Sequence, residues 1–169
     1  YIDGVYTIID MATAYGTSLG LNTTGLLLAL LLTQIVAFPA SLTFAVLSKT
    51  KDTASLIKVA IIAYFLIALF AVQLDKQWEF WVLAVAVGCF QGGIQALSRS
   101  YFAKIIPENA SGEYFGLFDI CGKGASFLGT MLMGVVTQIT GKQNLGVAAL
   151  SIMFVIGYLI FNKVSKMDD

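Results

Sequence analysis

Six long apolar stretches, separated by short polar breaks, leave this chain few folds to adopt. They cover residues 2–20, 25–47, 55–74, 79–103, 113–138 and 145–162, and each approaches the roughly 20 apolar residues that a membrane-spanning helix needs. The chain is 58% hydrophobic and only 12% charged, whereas soluble domains are about one quarter charged. A soluble core of this size could not bury so much apolar surface. We therefore predict an all-α integral membrane protein with six transmembrane helices.

Four charged side chains lie inside these apolar stretches and indicate a polar interior. They are Asp10, Arg99, Asp119 and Lys123. A charge near the bilayer centre costs about 2.5–3.5 kcal/mol on insertion scales, so such residues usually face a cavity or pair with one another. Here they share helix faces with Gln, Ser, Thr and Gly at helical spacing. The pattern predicts a polar path through a helical bundle, as in a transporter.

Eight polar residues on these faces are the candidates for function. We assign a substrate or ion pathway to Asp10, Gln34, Gln91, Gln95, Asp119 and Lys123, and gating to Asp3 and Arg99. Asp119 and Lys123 are four residues apart, so they can form a local ion pair that is purely structural, or one that opens on substrate binding. Asp10 has no such neighbour, which makes it the candidate proton carrier; a partner on another helix is the alternative.

The polar stripes repeat along the chain. The first, second, fourth and fifth helices carry them, whereas the third and sixth are nearly featureless beyond their ends. This order is a three-helix unit used twice. Two successive three-helix units have opposite topology because three is odd, so the pattern predicts a 3+3 inverted repeat.

Basic residues are distributed unevenly between the two sides of the predicted bundle. One side carries Lys49, Lys51, Lys58, Arg99, Lys104, Lys163 and Lys166, and the other only Lys76 and Lys142. Lysine and arginine accumulate on the cytoplasmic side of membrane proteins. We therefore predict that both ends of this segment are cytoplasmic.

Several other function classes find no support in the sequence. The net charge is zero, which gives no electrostatic reason to bind nucleic acid. There is no His, and the two cysteines, Cys89 and Cys121, lie in separate apolar segments, so we expect neither a metal site nor another cofactor. We also expect no enzyme activity, because neither a nucleophile motif nor a pair of catalytic carboxylates is visible. A channel or a non-transporting membrane scaffold remain the alternatives to a transporter.

A more specific signal lies in residues 98–129, SRSYFAKIIPENASGEYFGLFDICGKGASFLG. An Arg at a helix end, then x-I-P-E and E-x-x-G-L, resembles the link between the tenth and eleventh helices of major facilitator superfamily transporters. The string EYFGLFDICGKGASFLG, together with YIDGVYTIIDMA at residues 1–12, is similar to the branch that contains the autophagy-related vacuolar amino-acid effluxers and their bacterial relatives. One motif departs from the superfamily: the loop over residues 45–50 has Lys49 where an acidic residue is usual.

The resemblance implies that residues 1–169 form one transmembrane domain, the C-terminal six-helix half of a twelve-helix protein. It implies a secondary active transporter of a small polar solute, and amino acids follow from the resemblance alone. A six-helix half needs an N-terminal half or a second copy for alternating access. The expected partners are then that unit, the solute, the lipid bilayer and protons as coupling ion. The expected location is a bacterial inner membrane or a vacuolar-type membrane.

Overall fold

The computed structural model of the chain describes residues 1–167, apart from the side chains of Glu108, Lys123 and Ala125. It contains six α-helices: α1 (Ile2–Ser18), α2 (Thr23–Leu47), α3 (Thr53–Val72), α4 (Gln77–Ile105), α5 (Ser111–Thr140) and α6 (Gln143–Ser165), with a short 3₁₀ turn at Glu108–Ala110. No strand occurs within residues 1–167. The predicted all-α class is confirmed.

Five of these helices, α2 to α6, are long and apolar enough to cross a membrane. Helix α1 has 17 residues, slightly fewer than a full span needs, but it packs against α5 and α6 as part of the same bundle. The observed helix ends differ from the sequence-based ranges by a few residues, mainly because the helices continue into the polar breaks.

Local signals fix where the helices begin and end. The Asn22 side chain accepts a hydrogen bond from the Thr24 backbone amide at the start of α2, at 2.9 Å, and Asp52 does the same for Ser55 at the start of α3, at 2.8 Å. These caps satisfy amides that have no partner within the helix. Helix α5 ends at Thr140 and is followed by Gly141, whose φ of 68° is a left-handed conformation that glycine adopts without steric cost.

The packing of the helices follows the inverted repeat. Helix α2 packs mainly on α4, α3 packs on α6 and on α4, and α5 packs on α6 and, somewhat less extensively, on α1. In a 3+3 repeat, α1 corresponds to α4, α2 to α5 and α3 to α6. The contact between α2 and α4 therefore corresponds to the contact between α5 and α1, and the contact between α3 and α6 corresponds to itself. The two units are not equivalent in every contact, since α5 also packs on α6 while α2 and α3 make little contact.

Glycines of α4 let α2 approach closely. A Cβ added at Gly88 would lie 2.8 Å from the Thr33 carbonyl oxygen, and one added at Gly92 would lie 3.2 Å from the Ala37 carbonyl oxygen. Both positions therefore need glycine, as at close helix contacts in membrane proteins generally. The buried core of the bundle draws on all six helices, and α3 contributes fully buried side chains such as Ile57, Ile61 and Tyr64.

Candidate functional site

A large cavity opens at the end of the bundle where α4 ends and α5 begins. We call it the polar cavity; its volume is about 640 Å³. Its polar lining comes from three helices: Asp3 and Tyr6 on α1, Arg99 on α4 and Asp119 on α5. The other side of the cavity is lined by apolar residues of α6, among them Met153 and Ile156. Three of the candidate residues, Asp3, Arg99 and Asp119, thus lie in one cavity.

An ion pair joins α4 to α5 within this cavity. Arg99 Nη2 donates a hydrogen bond to Asp119 Oδ1. The two side chains remain 59% and 47% exposed, and an ion pair this open to solvent contributes only about 0–1 kcal/mol to stability. Opening this ion pair therefore costs little free energy. A pair that acts as a gate needs this property, whereas a purely structural pair does not.

Asp3 is held in a different way. It is only 6% exposed, and its Oδ1 accepts hydrogen bonds from the Gly129 backbone amide at 3.0 Å and from Thr7 Oγ1 at 3.5 Å. Gly129 has no room for a side chain, because a Cβ there would overlap Thr7 Oγ1. The Oδ2 atom of Asp3 is buried and has no hydrogen-bond partner among the described residues. Asp3 thus links α1 to α5 through its Oδ1 atom, while its Oδ2 atom has no partner among the described residues.

Two candidate glutamines line a second, much smaller cavity between α1, α2 and α4. We call it the glutamine cleft; it is lined by Gln34, Gln91, Thr33 and apolar neighbours, and its volume is about 40 Å³. The Gln91 Oε1 atom is buried and unpaired within the described part of the chain. Ligand pockets typically measure about 300–1,000 Å³, so in this conformation the cleft has room for water but not for a solute of amino-acid size.

The remaining candidates lie apart from both cavities or outside the described residues. Asp10 is exposed on α1, and no hydrogen bond or ion pair to it is found within the described residues. Gln95 is partly exposed on α4. The side chain of Lys123 lies outside the described residues, so its pairing with Asp119 stays a prediction, while Asp119 is found with Arg99.

Sequence reasoning missed the contacts that cross between helices. Thr7 and Gly129 help to hold Asp3, and Tyr1 Oη lies 2.6 Å from Ser98 Oγ beside the polar cavity. Nothing in the local sequence links Asp3 to a residue 126 positions away. The sequence did contain a signal for the Arg99–Asp119 pair. Both residues lie about two helical turns from the short link between α4 and α5, so two antiparallel helices bring them to the same depth.

Within the described residues, no group of three or more His, Cys, Asp or Glu side chains could hold a metal ion. The polar cavity brings together one arginine, Arg99, and two carboxylates, Asp3 and Asp119, while the glutamine amides lie in a separate cleft. Such groups can bind a small charged or zwitterionic solute by ion pairs and hydrogen bonds.

Comparison with known proteins gives the family. Residues 1–167 match the family model described as "Vacuole effluxer Atg22 like". The chain belongs to this family. A relative in Bacillus subtilis, "Uncharacterized MFS-type transporter YxiO", is 44% identical over 160 residues, which cover 95% of this chain and 37% of that protein.

Fungal members of the family match a shorter part. "Autophagy-related protein 22" of Eremothecium gossypii is 33% identical over 95 residues, covering 56% of this chain and 19% of that protein. The Candida glabrata protein of the same name is 35% identical over 92 residues, covering 54% and 17%. The chain thus spans well under half the length of these relatives. No solved structure matches it.

Proposed function

We propose that this chain is one six-helix unit of a major-facilitator-type secondary transporter that moves a small polar solute out of a compartment. It would work by alternating access against a second six-helix unit, which is either an N-terminal half or a second copy. Membership in a family described as vacuole effluxers supports this proposal. The observation that carries it is the half-exposed Arg99–Asp119 pair in the polar cavity.

The pair is suited to act as a gate that the solute itself opens. An α-amino acid carries one carboxylate and one ammonium group, which match the arginine and the carboxylate of the pair. Arg99 can release Asp119 and form an ion pair with the carboxylate of the solute, while Asp119 forms an ion pair with its ammonium group. Ion-pair contacts are thereby exchanged rather than lost, so opening does not leave an unpaired charge. Amino acids as the substrate class come from the family resemblance, and this chemistry is compatible with them.

The proposed path continues from the gate along the faces that carry Asp10, Gln34, Gln91 and Gln95. The buried Gln91 Oε1, which has no hydrogen-bond partner among the described residues, can accept a hydrogen bond from a solute once the glutamine cleft widens. Asp10 is exposed in the six-helix unit, and a second unit packed on this face would enclose it. We assign Asp10 the role of proton carrier.

A charge-swap experiment tests the gate. In the complete natural protein, reconstituted in liposomes, Arg99→Asp and Asp119→Arg should each reduce gradient-driven amino-acid transport at least tenfold, because each places two like charges together. The double variant should recover a substantial part of the transport. Lys76→Gln, at the opposite end of the bundle, is the matched control and should transport normally. Equal loss in the single and double variants would remove the pair from the gating role.

A second measurement tests Asp10 and the transport class together. Asp10→Asn should abolish the dependence of transport on a pH gradient while leaving solute exchange at equal pH, because the amide cannot carry a proton. Saturable counterflow by the unaltered protein would separate a transporter from a channel or a scaffold. An unchanged pH dependence in Asp10→Asn would assign coupling to another residue.

A further inference from the structure

A second sizeable polar cavity lies away from the proposed transport path, between the ends of α3, α4 and α6. We call it the cationic pocket; its volume is about 510 Å³. Lys58 of α3 and Lys104 of α4 line it together with Ser55, Tyr101 and Ser165. Lys104 Nζ donates a hydrogen bond to Thr53 Oγ1 at 3.2 Å, which holds this side chain across the first turn of α3.

Asp52 also lines the pocket, but its carboxylate is engaged by the helix. Its Oδ2 accepts hydrogen bonds from the Ser55 amide at 2.8 Å and from the Ser55 hydroxyl at 3.0 Å. These hydrogen bonds, foremost the one from the Ser55 amide, hold the pKa of Asp52 below its usual value. Two lysines therefore face one ionised carboxylate that already caps α3, and the pocket carries a net positive charge.

A separate apolar groove lies farther along the seam between α3 and α6. It is lined by Ile61, Ile62 and Phe65 of α3 and by four residues of α6, Phe154, Val155, Tyr158 and Leu159, and its volume is about 150 Å³. On α3, Ile62 and Phe65 follow Lys58 at helical spacing, and on α6 Tyr158 precedes Ser165 by two turns. The groove therefore lies on the same helix faces as the pocket, about 6–10 Å deeper along α3.

We propose that the cationic pocket and the apolar groove form one binding site for an anionic phospholipid. The phosphate group would lie between Lys58 and Lys104, and an acyl chain would lie along Ile62, Phe65 and Val155. A free phosphate ion would use the pocket alone, so the groove favours a lipid. The basic-residue pattern predicts that this end of the bundle lies on the cytoplasmic side, where anionic lipids attract basic pockets between transmembrane helices.

The experiment measures lipid affinity by native mass spectrometry on the complete natural protein in detergent. Dioleoyl phosphatidylglycerol should bind more tightly than dioleoyl phosphatidylcholine. Lys58→Gln/Lys104→Gln should weaken the binding of phosphatidylglycerol by about thirtyfold, since each lysine near an anionic headgroup contributes about fivefold. Lys76→Gln/Lys142→Gln removes the same charge from the opposite end and should leave the affinity unchanged.

Two further probes separate a lipid from a free anion. Dihexanoyl phosphatidylglycerol, which has the same headgroup and short chains, should bind at least tenfold more weakly than the dioleoyl form, and millimolar inorganic phosphate should not displace the latter. The melting temperature of each variant without lipid verifies that it is folded. Equal affinity for both chain lengths, displacement by phosphate, or an effect of the control variant as large as that of Lys58→Gln/Lys104→Gln would overturn the assignment.

Discussion

At the scale of single residues, Asp3 should stabilise the fold through the oxygen that accepts a hydrogen bond from the Gly129 amide. Asp3→Ala leaves the Gly129 amide and Thr7 without this acceptor and should lower the free energy of unfolding by about 1–3 kcal/mol. Asp3→Asn keeps an oxygen in the same place and should lose less. Asp10→Ala, on the exposed face of the same helix, is the control and should have little effect. Unfolding in detergent measures all three, and equal losses for Asp3→Asn and Asp3→Ala would contradict the bond.

Residue identities supplied candidate side chains for function, but they did not predict which of these side chains contact one another. Arg99 and Asp119 were candidates because they are charged residues inside apolar stretches. A charge in lipid is energetically costly, so such residues usually face a cavity or pair with one another. Helical spacing offered Lys123 as the partner of Asp119, since positions four apart are neighbours. It could not rank that neighbour against Arg99 on the preceding helix, because the rotation of one helix against another is set by packing across the bundle. The same holds for the contact between Asp3 and Gly129.

At the scale of helices, the contact between α2 and α4 should depend on glycine. Gly88→Ala would bring a methyl group to within 2.8 Å of the Thr33 carbonyl oxygen, and overpacking of this kind costs about 1–3 kcal/mol. Gly116→Ala on α5 is the matched control, since nothing lies within 4 Å of its added Cβ; it should be neutral or slightly stabilising. Thermal unfolding in detergent compares the two, and the contact is not as close as described if both variants melt alike.

The helices themselves were predictable because hydropathy is a strong local signal in a membrane protein. Every backbone polar group in lipid must be satisfied within the chain, so a long apolar run has little alternative to a helix. The observed ends extend into the polar breaks because caps such as Asn22 and Asp52 lie there. The cationic pocket was not predicted, since Lys58 and Lys104 come together only when α3 and α4 pack.

At the scale of the whole molecule, the outer side of α2 is one of the surfaces that the other helices of the bundle do not cover. On α2, the side chains of Leu31, Ile35, Phe38 and Leu42 are all more than half exposed, and polar Asp10 and Gln34 are also exposed. A face that combines apolar and polar side chains is poorly suited to lipid alone. It is the surface on which we propose that the second six-helix unit packs, so that Asp10 and Gln34 become part of a central path.

The alternation of the helices across the membrane gives the last prediction. Lys51 lies in the turn between α2 and α3 and Lys104 lies near the end of α4, whereas Lys142 precedes α6 at the opposite end of the bundle. Single cysteines at these three exposed positions, in a background without Cys89 and Cys121, should therefore react with an impermeant maleimide from opposite sides. Lys51→Cys and Lys104→Cys should be labelled only from the cytoplasm, because the basic residues concentrate at their end, and Lys142→Cys only from the other side. Labelling of Lys51→Cys and Lys142→Cys from one side would contradict the helix count, whereas a reversal of all three would contradict only the orientation.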